Sequence, residues 1–196
     1  MVPSAVLCKR FAFSLEQLYV YAQTCPYRYK TYEIDKRNGG KRKISQPSKD
    51  LKVIQRYILA EFLESHLKVH DSAKAYKINT NILDNARPHL KNNYLLKMDF
   101  KEFFPSIIDT DFIQYLMELG IVNDLKEAQL LSRIFFKQEG LSLRLSIGSP
   151  GSPIISNALL FSFDEIVTKE CLENGISYTR YSDDLTFSTN HRGLLF

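Results

Sequence analysis

Three carboxylates stand where this sequence could do chemistry. Asp99 follows the apolar run Tyr94-Leu95-Leu96-Lys97-Met98, and Asp183-Asp184 lie between two β-prone runs, Ser177–Tyr181 and Leu185–Ser188. A strand end presents a side chain at the mouth of a sheet while the sheet holds its backbone rigid. Two adjacent carboxylates repel when both ionise, and a divalent cation removes that cost. Mg²⁺ suits such a site because it takes one or two carboxylates and fills its remaining positions with water and substrate phosphates. Two ions about 3.5–4 Å apart stabilise both the attacking and the leaving oxygen of an in-line phosphoryl displacement. No convincing Ser-His or Cys-His arrangement competes with this chemistry. Each piece also has a plainer reading: Asp-Asp is common in turns because Asp bonds its own backbone there, and Asp99 could cap the turn that follows it. The joint pattern, an apolar strand ending in Asp, helices, then a strand–Asp-Asp–strand hairpin, favours the catalytic reading.

The elements that must position these residues follow from local signals. The runs around Ser182-Asp183-Asp184 read as a β-hairpin with two carboxylates at its tip. A helix is predicted over 14–24 with Ser14 as its cap, and a second, amphipathic, over 50–69 on Leu51, Ile54, Ile58, Phe62 and Leu63. Between them lies a basic-aromatic hairpin over 27–46, turning at Asn38-Gly39-Gly40, returning through Lys41–Ile44 and ended by Pro47. Asn85-Ala86-Arg87-Pro88-His89 falls on a helix that Pro88 opens or bends. Helices are expected from Asp109 or Thr110 to Gly120, from about Asn123 to Lys137, and from a cap at Ser156 or Asn157 to about Cys171. Gly148-Ser149-Pro150-Gly151-Ser152-Pro153 is an obligatory loop. There is no internal repeat or low-complexity tract.

Composition narrows the class. The 196 residues are 44% hydrophobic and 24% charged, which suits a folded core of one large or two small domains and excludes disorder as the main state. No apolar run approaches the about 20 residues of a membrane helix, and Lys9-Arg10 follow the first apolar stretch rather than precede it, so no signal layout is present. Cys8, Cys25 and Cys171 are odd in number and far apart, which fits a reducing cytoplasm and no disulfide framework. The net charge of +4 hides an asymmetry: residues 1–98 carry 18 Lys and Arg against 8 Asp and Glu, and residues 99–196 carry 8 against 14. A polyanion partner for the first half and bound cations for the second would account for this, as would two ordinary solvated faces.

Together these stretches resemble the fingers and palm of a reverse transcriptase, most of all the bacterial retron type. The resemblance rests on Lys41-Arg42-Lys43-Ile44-Ser45-Gln46-Pro47 with Leu51–Arg56, Asn85-Ala86-Arg87-Pro88-His89, Met98–Ile107, Gly148–Asn157 and Tyr178–Ser188, in family order. The Tyr-x-Asp-Asp box with its upstream Asp points to the polymerase superfamily, and the Asn-Ala-x-x-His stretch to retrons. The fold it implies is α+β, a right-hand polymerase fingers and palm with helices packed on one face of an antiparallel palm sheet. Residues 1–93 would be fingers and an N-terminal helical region, and 94–196 an incomplete palm without a thumb.

The resemblance also implies roles. Asp99 and Asp183 would be the principal metal ligands, with Asp184 second in rank and Phe100 lending its backbone carbonyl, to two Mg²⁺ ions or to Mn²⁺ in their place. Phe104 would be the steric gate that rejects a ribose 2′-OH, unless it is a core aromatic, since one of Phe103 and Phe104 should face inward. Arg42 would grip the incoming triphosphate with Lys43 or Lys41 as helpers, a role that suits its bidentate fork. Gly148, Pro150 and Gly151 would hold the nucleotide and templating base, with glycine allowing close backbone approach. Arg56, Lys41 and Tyr181 would contact nucleic acid, within a basic-aromatic run 27–43 that tracks and stacks the template. The implied partners are dNTPs, a structured non-coding RNA that is template and primer, and an effector protein, in a bacterial cytoplasmic anti-phage system without a membrane.

Two departures qualify the likeness. Ile147 stands where many relatives carry a Gln near the nucleotide, which bears on nucleotide positioning and fidelity. Family polymerases also continue past the hairpin into the rest of the palm and a thumb, so the sequence is expected to be a fragment, a truncation or one part of a two-chain enzyme, with an uncovered sheet edge that lowers solubility. The expected activity is therefore RNA-directed DNA polymerisation. The alternative is a truncated, inactive nucleic-acid-binding remnant. An RNA-templated RNA polymerase is a third reading, against which the aromatic Phe104 argues.

Overall fold

The computed structural model describes residues 2–35, 39–77 and 79–195. In chain order the elements are α1 (Pro3–Phe11), α2 (Leu15–Thr24), β1 (Tyr29–Asp35), β2 (Lys41–Pro47), α3 (Lys49–Ile58), α4 (Ile82–Ala86), β3 (Tyr94–Asp99), α5 (Phe103–Ser106), α6 (Asp109–Glu118), α7 (Leu125–Phe135), β4 (Lys137–Glu139), β5 (Ser142–Arg144), α8 (Ser152–Leu159), α9 (Phe161–Glu173), β6 (Ser177–Tyr181) and β7 (Asp184–Thr189). Helices thus mix with antiparallel sheets, ordered β1-β2, β3-β7-β6 and β4-β5. No helix among the described residues is long and apolar enough to cross a membrane. The three cysteines are free thiols.

The chain divides into two compact units, each drawn from two stretches: residues 1–67 with 104–155, and 68–103 with 156–196. This division does not follow the boundary at residue 93 drawn from motif order.

The first unit is a helical body carrying two hairpins. Leu7, Leu18, Leu51, Ile58, Leu116, Leu131, Ile134 and Phe135 are fully buried. Their helical spacing within α1, α2, α3, α6 and α7 turns one stripe of each helix inward. Ser14 caps α2 with a complete capping box: its hydroxyl accepts from Gln17 N–H and the Gln17 side chain accepts from Ser14 N–H. The buried Glu127 carboxylate on α7 accepts from Ser4 N–H (2.9 Å) and from the Ser4 hydroxyl, tying down the start of α1. The predicted helix over 50–69 is α-helical only to Ile58 and continues as a single π turn, Leu59–Leu63. The basic hairpin forms as expected, with Asp35 opposite Lys41 and Tyr29 opposite Pro47. Asn38 of its expected turn, and Lys36 and Arg37 just before it, lie outside the described residues.

The second unit holds the three-stranded sheet. Alternation along its strands separates two faces. Tyr178, Leu185 and Phe187 share one face and pack with Cys171, Val167 and Phe163 of α9. The opposite face carries Asp99, Asp184 and Tyr181 at one end and Thr179 and Ser188 at the other, by cross-strand register. Helices were expected on one face alone; here α4 and the 3₁₀ turn Arg87–His89 also bond the polar face, at its Thr179–Ser188 end. The helix expected to start at Ser156 or Asn157 starts at Ser152 and is interrupted at Leu160. Pro153 is compatible with a first turn, where its missing N–H has no intrahelical partner to lose.

Candidate active site

The carboxylates come together through strand register. Asp99, the last residue of β3, is the direct partner of Asp184, the first residue of β7, and Asp184 also pairs with Tyr181 at the end of β6. Direct antiparallel partners place their side chains on the same face, with Cα atoms about 4.5–5.5 Å apart. Asp183 occupies the two-residue turn Ser182-Asp183 between β6 and β7. Ser182 has φ +62°, while Asp183 is not in the left-handed region, the φ pattern of a type II′ hairpin turn. Phe100 N–H donates to the Asp183 carbonyl at 3.1 Å, so the end of β3 is stapled to the turn. All three carboxylates reach solvent, Asp99 and Asp184 more than Asp183. Their oxygens are the donors a hard divalent cation takes. Among the described residues, no three His, Cys, Asp or Glu side chains converge as a ready-made metal cluster. The donor chemistry fits the ion, and the backbone holds the donors at one end of one sheet face.

A buried network surrounds this turn; none of its members reads from the sequence as a site residue, and Asn157 only as a candidate helix cap. The Arg180 side chain, in the β6 position just before the Tyr-x-Asp-Asp box, is fully buried. It forms an ion pair with the equally buried Asp164 of α9, Nη2 to Oδ2 at 2.6 Å and Nε to Oδ1 at 2.9 Å. Its Nη1 donates to Asn157 Oδ1 at 3.0 Å and to the Ser182 carbonyl at 2.9 Å. Tyr178 donates its hydroxyl to Asp164 at 2.7 Å, and burial first, then this carboxylate, pushes the phenol pKa far up. A charged residue one step before a turn reads as surface in sequence, and its partners lie 16 and 23 positions away.

His89 has a definite place too. Thr179 Oγ1 donates to the Asn85 carbonyl at 3.3 Å and therefore accepts from His89 Nε2–H at 2.8 Å. Asn92 Nδ2 donates to Ser188 Oγ at 2.7 Å, and that hydroxyl lies 2.6 Å from His89 Nδ1. Desolvation lowers the ring's pKa and so favours its neutral form, in which Nδ1 accepts from the Ser188 hydroxyl. Asn85 and His89 of the Asn-Ala-x-x-His stretch pin the 3₁₀ turn to the polar sheet face.

The remaining expected residues are placed as follows. In the first unit, Arg42 and Ile44 share one face of β2, and the loop 148–153 meets that strand. Ser45 N–H donates to the Ile147 carbonyl at 2.8 Å. A Cβ on Gly148 would lie 3.0 Å from the Ser45 carbonyl oxygen and 3.3 Å from Ile44 Cγ2, and its φ is +111°, so glycine is required there twice over. At Gly151 a Cβ would fall 2.3 Å from the Phe135 ring, so the close approach is to the core. Pro150, between them, is half-buried. Fully buried Gln55 braces the same loop: its Nε2 donates to the Ile134 carbonyl (2.7 Å) and the Tyr29 hydroxyl (3.0 Å), and its Oε1 accepts from Ser149 (3.3 Å). Lys41 pairs with Glu33 at 3.2 Å and Lys43 with Glu139 at 2.9 Å, both at the surface, where such pairs contribute little to stability. Arg56 is exposed on α3, away from buried Leu51, Ile54 and Ile58. Of the adjacent aromatics Phe103 is the buried one, and Phe104 is half-buried. In the second unit, Phe103 stacks on Phe100 with centroids 5.7 Å apart.

Residues 34–194 match the family described as reverse transcriptase (RNA-dependent DNA polymerase). The chain belongs to that family. Among its curated relatives are two from Escherichia coli, the retron Ec83 reverse transcriptase, 44% identical over 85% of this chain and 54% of the relative, and the retron Ec73 reverse transcriptase, 38% identical over 84% and 54%. The retron Mx162 reverse transcriptase of Myxococcus xanthus is 33% identical over 82% of this chain and 35% of its own length. The chain spans about half the length, or less, of these relatives.

Proposed function

We propose that the chain carries the catalytic part of a retron-type RNA-directed DNA polymerase, which extends a primer with dNTPs on an RNA template. One observation carries the reading: Asp99 and Asp184 are cross-strand partners beside Asp183, within a stretch that matches the reverse transcriptase family. In right-hand terms, residues 1–93 supply fingers and an N-terminal helical region and 94–196 supply palm. Asp99 and Asp183, assisted by Asp184 and the Phe100 carbonyl, hold Mg²⁺ or Mn²⁺. When bound, two such ions would stabilise the attacking primer oxygen and the leaving pyrophosphate oxygen.

The protein's own groups do the rest. Arg42 binds triphosphate oxygens through its planar fork, with Lys41 and Lys43 adding positive charge. The loop containing Gly148, Pro150 and Gly151 positions the nucleotide, and Ser45 and Gln55 hold that loop still. Phe104 excludes the ribose 2′-OH, a role that fits a half-buried ring whose neighbour Phe103 fills the core. Arg56 and Tyr181 contact nucleic acid. The substrate RNA is a structured non-coding RNA serving as template and primer, and the setting is a bacterial cytoplasmic anti-phage system with an effector protein.

Sugar and template selection test the reading. On a primed RNA template with Mg²⁺, the chain is expected to incorporate dNTPs in strong preference to rNTPs. Phe104→Ala should shrink that preference by about tenfold or more, because a steric clash is a larger discriminator than a lost contact. Incorporation of rNTPs alone, or extension on DNA but not RNA templates, would contradict the proposal.

A further inference from the structure

Ser182 adopts φ +62° at the turn that carries Asp183. Glycine occupies that region freely, whereas serine stays there only if its surroundings over-determine it. Three bonds do so. Arg180 Nη1 donates to the Ser182 carbonyl at 2.9 Å, the Tyr76 and Ser182 hydroxyls bond each other at 3.0 Å, and Phe100 N–H donates to the Asp183 carbonyl at 3.1 Å. The first rests on an unusual foundation. Arg180 is fully buried, and a buried ion pair adds little net stability over apolar side chains of the same volume. What it supplies is a donor fixed in direction. Asp164 grips the guanidinium from one side through Nε and Nη2, and Asn157 Oδ1 takes one Nη1 proton at 3.0 Å, which leaves the other aimed at Ser182. Asn157 is itself fixed, donating to the Ala75 carbonyl at 3.0 Å. The Arg180 backbone is clamped as well, donating to the Ser72 carbonyl (2.9 Å) and accepting from Lys74 N–H (2.8 Å).

We infer that Arg180 is a positioning residue of the active site: oriented by Asp164 and Asn157, its guanidinium holds Ser182 in the left-handed conformation and so sets the direction of Asp183 and Asp184. This rests on the proposed role of those carboxylates as metal ligands. Lysine keeps the charge but has no planar fork, so it cannot serve Asp164, Asn157 and Ser182 together.

Two readouts on the whole chain test it: amide hydrogen exchange and Mn²⁺ binding followed by electron paramagnetic resonance. In Arg180→Lys, exchange at Phe100 N–H should quicken by about tenfold while Ile176 N–H, bonded to Cys171 at the end of α9, stays unchanged. Mn²⁺ affinity should fall by about tenfold, and adding Ser182→Gly should restore most of it, because glycine needs no clamp at that φ. Unchanged Phe100 exchange, equal acceleration at both amides, or no rescue by glycine would overturn the inference. Should Arg180→Lys fail to fold, Asn157→Ser, which removes one of the two groups that orient the guanidinium, decides: severalfold faster Phe100 exchange upholds the clamp and no change overturns it. If the unaltered chain binds Mn²⁺ no better than Asp183→Asn, the metal role falls, while the exchange result still judges the clamp.

Discussion

At the scale of single residues, His89 links a short motif to stability. Both of its ring nitrogens are committed, one accepting from Ser188 and one donating to Thr179, and the ring is buried. Charging it would leave Ser188 without an acceptor. Its folded pKa is lowered by desolvation, so the unfolded chain binds more protons on the acid side, and stability must fall as pH drops below the ordinary histidine value of about 6.5. His89→Gln is expected to cost about 1–3 kcal/mol at pH 7.5, through lost bonds to buried hydroxyls. Urea denaturation at pH 7.5 and pH 5 should show that gap narrowing in acid; a gap that stays constant or widens would contradict the neutral, buried ring. Asn85, Pro88 and His89 were legible in the sequence as a motif, but the role of the histidine was not, because Thr179 and Ser188 lie about a hundred positions or fewer downstream on strands of another stretch.

At the scale of elements, signals confined to a few neighbouring residues are legible in the sequence. Ser14 with Gln17, Gly39-Gly40 before Lys41 and the alternating runs around Ser182-Asp183 each specify their structure within a turn or two. Weaker signals are not legible. Helix α1 starts at Pro3 without a side-chain cap, and β4 and β5 are three residues each around Gly140, too short to show a period. The glycine loop was legible as a loop, yet its glycines divide by function: Gly148 serves a close backbone approach to β2, and Gly151 makes room for Phe135. Gly151→Ala should therefore destabilise the chain by about 1–3 kcal/mol through overpacking, and Phe135→Leu should recover part of that loss in the double variant. Chemical denaturation of the four proteins of the cycle measures the coupling. Strict additivity would show that the methyl group and the ring do not meet.

At the scale of the whole molecule, the order of motifs along the chain revealed the family, while the packing follows a different division. Each compact unit draws on two separated stretches, and Asp99 belongs to one stretch of its unit and Asp183-Asp184 to the other. Register between β3 and β7 is what reunites them, and a slip of one residue would send Asp184 to the opposite face. The proposed activity therefore depends on the end of this sheet being the catalytic centre. The direct test is Mg²⁺-dependent dNTP incorporation on a primed RNA template by this chain and by Asp183→Asn, which keeps the side-chain shape and removes the charge. Incorporation is expected from the unaltered chain, with a loss of about 10³-fold or more in the variant, as befits a group that holds the charge-stabilising ion. Incorporation by Asp183→Asn at the unaltered rate would contradict the proposal.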